Sequence, residues 1–504
     1  MFLALGSYGI YRSRHERVSS SSQEPIVLAV LPFANQTGVL ANDYLSEGLT
    51  DNLIRQLAEL PQIRVASREA VSGPDPRKVA RDLGAAVLLT GELQRNSSGQ
   101  LVLNAEISNA KDGTVMRSSQ YFPDEKDLRS VQADIVQEVI QTLGLQLNER
   151  EHEGVLRPLT TSPSAFQDFL RGESEMLKGD EASIVSALHI LQNAVHKDPE
   201  FAEAWTAMAA GEIQIGLFFE PPGSHMEAAR QYAERAIALD PSISDAHGVL
   251  GLVYLVYDWN FVAAQSQLAS ANNREDAIWH LGCTAHLLNT SGGSSRHAEE
   301  DLEHMLEFNP GAVMIVNEMG CVNYYAGRYD ESVRYYRDAL ASAPGFVLAN
   351  WGLGRSLGRE GKYSEAIADL RRFNSVYGIE HPLTLGEIGY LQALSGDRAG
   401  ALATIHKLEA MGRTQFIDPI FIAQSYLGLH DRAQTYAWLD RAYKIRSPFL
   451  IGLATDPRWA SLRGERRFKA LWNRMTGEAD SSQGIRSAAR QQGSSSSVTL
   501  PRQG

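Results

Sequence analysis

A period of 34 residues in the central part of the chain constrains the fold more than any other feature. Pro310 and Pro344 lie 34 residues apart, as do Gly320 and Gly354, and Pro241 precedes Pro310 by 69 residues, close to two periods. A period of this length is typical of one helix–turn–helix unit, which buries its apolar face by stacking on the next unit. The sequence therefore predicts an all-α solenoid over residues 163–448.

The pattern inside each period supports the same interpretation. In one unit, Gly320 and Gly327 are followed by Tyr336, Ala339 and Pro344. The small residue lets two helices approach closely, the aromatic residue fills the adjacent space, and the proline ends the second helix. This pattern resembles tetratricopeptide repeats, in roughly eight units.

Three places depart from the pattern. Two successive repeat prolines are 42 residues apart, which indicates an eight-residue insertion that we place near Phe218–Ser224, and a shorter insertion falls at Thr290–Ser295. Tyr257–Asn260 replaces the usual glycine turn of its unit. Residues 449–475, which contain Asp-Pro-Arg at 456–458, resemble the closing segment of such arrays and are predicted to cap the last exposed helix face.

Residues 25–148 follow a different pattern, in which short β-rich runs separate amphipathic helices. Leu45, Leu49, Leu53 and Leu57 recur at helical spacing, with Asp43 as a candidate N-cap. The predicted order is strand, helix, strand, helix, a three-stranded meander and a helix, at residues 26–33, 45–57, 63–66, 77–83, 85–93, 101–107, 115–122 and 128–143. This order predicts a small α/β domain with a mixed sheet.

The same domain resembles the TolB amino-terminal-like family. The resemblance rests on Ile26–Phe33 with the loop after it, on Tyr44–Leu49, and on Leu83–Ala85 before a strand. In bacteria such domains commonly follow a transmembrane helix in receptor-like serine/threonine kinases, winged-helix regulators and some adenylate cyclases, and precede tetratricopeptide repeats. The resemblance implies an architecture and brings no catalytic residues.

The two ends of the chain have their own composition. Met1–Tyr11 is apolar but shorter than the roughly 20 residues that span a bilayer, so within residues 1–24 it is either an apolar start without a role or part of a transmembrane helix. The resemblance implies that the bulk of the chain is membrane-associated and periplasmic. Arg12, Arg14 and Arg17 favour the cytoplasmic alternative. Residues 476–504 are polar and rich in serine, which predicts a disordered tail.

The sequence contains no convincing catalytic, metal-binding or cofactor-binding pattern. The glycine-rich run Gly352–Gly358 lies in a predicted repeat helix, and His297 and His304 are predicted to lie on a solvated helix face. Cys283 and Cys321 are predicted to be free thiols, because packed helices hold their backbones farther apart than a disulfide allows. The net charge of −13 argues against a nucleic-acid partner.

The remaining hypothesis is a non-enzymatic interaction scaffold that binds a protein or peptide in the concave groove of the solenoid. The alternative is the detached sensory or regulatory region of a membrane-bound signalling kinase, cyclase or transcriptional regulator. In the repeat family the first helix of each unit lines the groove, and aromatic and arginine side chains dominate binding energy. The candidate groove residues are Trp279, His280, Asn317, Tyr324, Tyr325, Trp351, Arg355, Arg359, Tyr390 and Gln424.

Within this set, Arg355 and Arg359 are four residues apart and should share one helix face with Trp351. An arginine pair beside aromatic rings suits a peptide with an acidic side chain or a terminal carboxylate. The alternative is that both arginines pair with acids of the chain itself, such as Glu318, Glu360 or Glu387.

Overall fold

The computed structural model describes residues 25–39, 42–60, 62–66, 78, 84–123, 129–271, 295–308, 312–376, 378 and 380–477. A mixed sheet forms at the N-terminus, and helices follow it to the end of the described chain. The predicted fold class is therefore confirmed. The predicted helix at 77–83 falls almost wholly outside the described residues.

The N-terminal sheet has parallel strands at one side and an antiparallel meander at the other. Its strand order is β3–β1–β4–β5–β6, and the short β2 pairs with β4. Pairing is parallel among β1, β3 and β4 and antiparallel from β4 to β6. The strands are β1 (Ile26–Val30), β2 (Ala34–Gln36), β3 (Ile63–Ala66), β4 (Val87–Arg95), β5 (Leu101–Asn109) and β6 (Val115–Tyr121).

Helices α1 (Asp43–Ala58) and α2 (Arg129–Leu143) pack on this sheet. The leucines at four-residue spacing on α1 are each at most 4% exposed, so the periodicity identified the buried face. Asn42, and not Asp43, occupies the N-cap position of α1. A further helix, α3 (Glu149–Leu156), begins with a capping box and was not predicted from the sequence.

The repeats follow as antiparallel helix pairs. The described helices are α4 (Pro163–Met176), α5 (Glu181–Lys197), α6 (Ala202–Phe218), α7 (Pro222–Leu239), α8 (Ser244–Val256), α9 (Phe261–Ser270), α10 (Ser295–Phe308), α11 (Val313–Tyr325), α12 (Tyr329–Ser342), α13 (Val347–Arg359), α14 (Tyr363–Val376), α15 (Pro382–Leu394), α16 (Arg398–Met411), α17 (Pro419–Gly428) and α18 (Arg432–Lys444). Two 3-10 segments, Pro448–Ala454 and Pro457–Leu462, precede α19 (Arg466–Thr476).

Packing between units explains the glycines of the repeat. The ring of Tyr336 lies against Gly320 of its own unit and Gly352 of the next, and a Cβ atom built on Gly352 would lie 2.2 Å from the ring. Only glycine admits the aromatic side chain at this distance. The turn glycines Gly327 and Gly361 have φ of 80° and 78°, the left-handed conformation that glycine adopts without strain.

The predicted insertion takes a form that the sequence did not reveal. Helices α6 and α7 contain 17 and 18 residues, against 13 and 14 in α11 and α12. The eight extra residues therefore lengthen each helix by about one turn. Pro221 and Pro222 stand at the start of α7, where a missing backbone N–H costs nothing.

The array does not remain open at its C-terminal end. The first 3-10 segment packs on α8, the rings of Trp259 and Tyr443 stack with centroids 5.7 Å apart, and Phe261 stacks on Trp472 at 6.4 Å. One apolar cluster joins residues of α6–α9 to residues of α15–α19. The last repeats thus fold back on the second and third helix pairs.

Candidate functional site

The candidate site lies where the first helices of four successive units stand side by side. Helices α11, α13, α15 and α17 pack on one another in this order. They carry all the described candidate groove residues: Asn317, Tyr324 and Tyr325 on α11, Trp351, Arg355 and Arg359 on α13, Tyr390 on α15 and Gln424 on α17. Trp279 and His280 lie outside the described residues.

A segment of the chain itself occupies this groove. We call residues 448–462, which comprise the two 3-10 segments, the groove-filling segment. Its apolar side chains Leu450, Leu453, Trp459 and Leu462 are each at most 1% exposed. Asp456 stands between the two 3-10 segments as the N-cap of the second and accepts a hydrogen bond from the backbone N–H of Arg458.

The groove binds Asp456 through two side chains that the sequence analysis had selected. The hydroxyl of Tyr324 donates to Asp456 Oδ1 over 3.0 Å, and Arg355 Nη1 lies 3.6 Å from Asp456 Oδ2. The guanidinium of Arg355 also lies over the rings of Trp351 and Tyr324, at 3.9 and 4.4 Å from their centroids. Arg355 therefore does contact a carboxylate beside aromatic rings, and that carboxylate belongs to the same chain.

The groove binds Arg458 through acceptors on the next two helices. Arg458 Nη1 donates to Glu387 Oε2 on α15 and to Gln424 Oε1 on α17, both over 2.8 Å. Arg458 also donates to Asp456 Oδ2 from Nε and Nη2, over 3.0 and 2.7 Å. The groove thus recognises an acid and an arginine that are separated by one residue.

The four charged side chains are removed from water almost completely, because none of the four residues is more than 8% exposed. Burial by itself would raise the pKa of Asp456, but the charges of Arg458 and Arg355 outweigh it and lower that pKa to about 2. Burial raises the pKa of Glu387, and the same two guanidinium groups oppose that shift without reversing it. Two guanidinium groups face two carboxyl groups, so the network carries little net charge.

The other candidate residues have different surroundings. Tyr390 is 6% exposed and Asn317 is 4% exposed. Arg359, the last residue of α13, is exposed and lies near Tyr329, with its Nε atom 3.4 Å from the hydroxyl. The two arginines therefore share a helix face without sharing a binding partner.

The sequence analysis places Asp456 and Arg458 in a capping segment and names Glu387 only as an alternative partner of Arg355 and Arg359. The residues after the groove-filling segment also contact the last repeat, since α19 packs on α18 and Arg467 pairs with Asp440 over 2.7 Å. The signal that could have separated the two roles was the Asp-Pro-Arg triplet. An acid and a base so close together, next to apolar residues, indicate buried charges that need partners.

The described residues also bear on metal binding, membrane insertion and thiol chemistry. In that part of the chain, no three His, Cys, Asp or Glu side chains approach closely enough to hold a metal ion. Within the same ranges, no helix has both the length and the apolar character that crossing a bilayer requires. Cys321 is a half-buried free thiol, whereas Cys283 lies outside the described residues, so the predicted absence of a bond between them stays a prediction.

The stacked helix pairs define a helical-repeat protein. The sequence model of one repeat family, described as tetratricopeptide repeat, matches residues 317–374, which span α12, α13 and most of α11 and α14. The chain therefore contains tetratricopeptide repeats, and the candidate groove begins within the matched part.

Two known proteins are similar to longer stretches of the sequence. "Putative adenylate cyclase 3" of Rhizobium meliloti is 25% identical over 232 residues, which are 45% of this chain and 39% of that protein. Superkiller protein 3 of Schizosaccharomyces pombe is 20% identical over 334 residues, which are 60% of this chain and 21% of that protein. The chain thus spans well under half the length of either relative.

Solved structures resemble part of this chain distantly. The human IFIT1 dimer with PPP-AAAA is 14% identical, with a TM-score of 0.42, over 63% of this chain and 78% of that chain. A tetratricopeptide repeat protein from Parabacteroides merdae is 18% identical, with a TM-score of 0.37, over 52% of this chain and 99% of that chain. Likeness at this level carries no argument about function.

Proposed function

We propose that this chain is a non-enzymatic protein-interaction scaffold whose groove binds a polypeptide segment that carries an acidic residue and, two positions later, an arginine. The observation that supports the proposal is the set of contacts to the groove-filling segment. Arg355 and Tyr324 bind the acid, while Glu387 and Gln424 bind the arginine. A groove built in this way discriminates by charge and spacing, because an unsuitable segment would leave buried charges unpaired.

The groove-filling segment limits access by other polypeptides. A tethered segment acts at an effective concentration on the order of millimolar, so a partner with equal intrinsic affinity would compete only at similar concentrations. A partner at micromolar concentration must therefore bind about a thousandfold more tightly than the resident segment, or the segment must first be weakened. The scaffold is thus closed by default and opens to a partner that matches it better.

The test supplies the segment as a separate molecule to the full-length chain. The variant Asp456→Ala with Arg458→Ala weakens the resident segment and leaves the groove intact. A fluorescent peptide with the native sequence of residues 447–465 should bind this variant at least about tenfold more tightly than it binds the wild-type chain, as measured by fluorescence anisotropy. The same peptide should raise the melting temperature of the variant, because it restores partners to buried charges.

Two controls make the outcome decisive. A peptide that carries both alanines should bind neither protein, and adding Arg355→Met and Glu387→Gln to the variant should abolish binding of the native peptide. Binding that stays the same after all these changes, or no binding of the native peptide to the weakened variant, would contradict a polypeptide-binding groove.

A second candidate function is the regulatory region of a larger signalling enzyme. The similarity to the Rhizobium meliloti relative over 39% of its length favours it, as does the resemblance of residues 25–148 to a TolB amino-terminal-like domain. Under this proposal the chain lies on the periplasmic side of a membrane. The gene would encode a cyclase, kinase or winged-helix domain upstream, and a periplasm-specific reporter fused after Ser22 would be active with that upstream part present. A free-standing gene with an inactive reporter would refute this proposal and leave the scaffold.

We expect a protein partner rather than a nucleic acid, because the net charge of −13 repels a phosphate backbone. An electrophoretic shift with single- or double-stranded oligonucleotides at about 0.15 M salt would contradict this expectation.

A further inference from the structure

One cavity lies where two departures from the repeat pattern come together with the end of the last repeat. Pro221 and Gly223 at the start of α7, Tyr257 and Trp259 in the turn between α8 and α9, and residues 443–446 at the end of α18 line a cavity of about 380 Å³. This volume falls within the range of small-molecule pockets, about 300–1,000 Å³. We call it the seam cavity, because it lies where the last repeat meets the second and third helix pairs.

Aromatic rings form the walls of the seam cavity. Trp259 and Tyr443 are stacked at 17° with centroids 5.7 Å apart, and Tyr257 also lines the cavity. Trp259 is 5% exposed, so its ring is fixed by its surroundings. The guanidinium group of Arg446 lies over the rings of Tyr257 and Trp259, at 5.2 and 5.6 Å from their centroids, and a flat apolar group suits the aromatic surface beside it.

The polar side chains that line the cavity can all donate hydrogen bonds or carry positive charge, and none of the lining residues is acidic. Lys444 and Arg446 supply the cations, and Trp259 supplies a buried indole N–H that has no hydrogen-bond partner. The N-terminal end of α7 and the C-terminal ends of α8 and α18 all line the cavity, so their helix dipoles oppose one another and the side chains determine its charge. This set favours a ligand with a negative charge.

The neighbouring acids pair with only one of the two cations. Asp258 is bound by Arg230 through Nη2 over 2.7 Å, and Arg446 Nη1 lies 3.5 Å from the same carboxylate. Glu227 also pairs with Arg230, over 3.3 Å. Lys444 makes no ion pair with any residue that the structure describes, so one cation at the rim remains available.

The backbone holds two of these residues in an unfavourable conformation. Trp259 and Arg446 have φ of 54° and 55°, in the left-handed region where the turns of other units place Gly327 and Gly361. Residues in this conformation often lie at functional sites, because the surrounding structure maintains them at a cost. The fold therefore keeps an aromatic and a cationic side chain at the cavity where glycine would be easier to accommodate.

We propose that the seam cavity binds a carboxylate attached to an aromatic group. The aromatic group lies against Tyr257 and Trp259, and the carboxylate accepts hydrogen bonds from Lys444 and Arg446. Such a ligand is either a free aromatic acid or the C-terminal aromatic residue of a peptide, which share this chemistry. The proposal does not depend on the groove or on its occupant.

The test uses the full-length chain and four probes. N-acetylphenylalanine and its neutral amide separate the carboxylate from the ring. A tripeptide that ends in phenylalanine, with a free or an amidated C-terminus, separates the two sources. Titration calorimetry or saturation-transfer NMR should show that each acid binds at least about tenfold more tightly than its amide, since a charge-assisted pair is lost.

The variants locate the binding site. Lys444→Gln should weaken binding of the acids about tenfold, and Arg446→Gln should weaken it similarly. Lys111→Gln removes an exposed cation in the N-terminal domain and should change nothing. Lys444 is exposed, so its replacement should leave the melting temperature unchanged.

Each outcome decides the proposal. Tighter binding of the peptide acid than of N-acetylphenylalanine would identify a peptide C-terminus as the ligand, and equal binding would identify a free acid. Equal affinity for acid and amide, the same affinity in Lys444→Gln as in wild type, or no binding at millimolar concentrations would overturn it.

Discussion

Replacement of Asp456 with asparagine is expected to destabilise the protein strongly at neutral pH. The substitution keeps the shape of the side chain and removes the charge that faces Arg458 and Arg355 in the groove. Among the described residues, Arg458 then keeps its ion pair with Glu387, whereas Arg355 loses its ion pair with Asp456. Loss of one member of a buried ion pair typically costs about 3–5 kcal/mol, because the remaining charge stays out of water.

The pKa of Asp456 gives an independent magnitude. Folding lowers this pKa from 3.8 to about 2, and the side chain is 2% exposed, so little solvent screening applies. A lowering of this size favours the charged form by about 2–3 kcal/mol. Together with the cost of breaking a buried ion pair, this places the expected loss at about 2–5 kcal/mol.

The assay is urea denaturation followed by circular dichroism, with the free energy of unfolding taken from linear extrapolation. Because the folded pKa is depressed, the carboxylate stabilises the fold fully above about pH 4 and loses this effect as the pH falls through about 2. The deficit of Asp456→Asn should therefore be constant between about pH 5 and 8 and shrink toward pH 2.

A matched control is Asp440→Asn, which removes a carboxylate that pairs with Arg467 and Arg474 at the surface and is 39% exposed. This change should cost at most about 1 kcal/mol. A loss below about 1 kcal/mol for Asp456→Asn, or equal losses for the two variants, would refute the assignment of a buried charge network to the groove.

Three further changes test other parts of the structure. Gly352→Ala should cost about 1–3 kcal/mol in urea denaturation, because its Cβ would overlap a tyrosine ring of the preceding unit, whereas Gly464→Ala, with open space around it, should change stability little. A hydrogen bond to Glu212 is the chief reason that the pKa of His225 is raised. This ion pair therefore stabilises the fold fully below about pH 6.5 and loses its effect as the pH rises through the raised pKa. His225→Gln should cost about 1 kcal/mol of unfolding free energy at pH 5.5, and an equally large loss at pH 9 would exclude the ion pair. Cys321 is half-buried, and burial of its thiol raises the pKa of that thiol to about 12, so in a Cys283→Ser background a disulfide reagent at pH 8 should modify it far more slowly in the folded protein than after denaturation; equal rates would contradict the raised pKa.

The local parts of the fold could be predicted from the sequence. The leucines of α1 and the alternation of β5 identified buried faces, because helices and strands repeat over a few residues. The close approach of Tyr336 to Gly320 also follows from the repeat pattern, since both residues lie in one unit. Spacing alone was sufficient in these cases.

The contents of the groove could not be predicted in this way. Tyr324 and Asp456 are separated by 132 residues, and no short-range pattern connects them. The spacing of Arg355 and Arg359 placed them on one face, but their environments differ because the groove-filling segment covers only the first. The candidate residues thus identified a place for a carboxylate. Only the three-dimensional structure shows that this carboxylate is Asp456 of the same chain.

The return of the C-terminal residues to the earlier repeats changes how this chain should fold. An open repeat array makes contacts only between neighbours, so its ends can fray and folding can begin in any unit. Here Arg446 reaches Asp258 across 188 residues, and Asp456 reaches Tyr324 across 132. Contacts this distant in sequence slow folding, because a long loop must close before they form. During synthesis, the repeats that emerge first hold Arg355 and Glu387 without their partners until residues 456–458 leave the ribosome, so the array reaches its full stability only after the groove-filling segment has emerged.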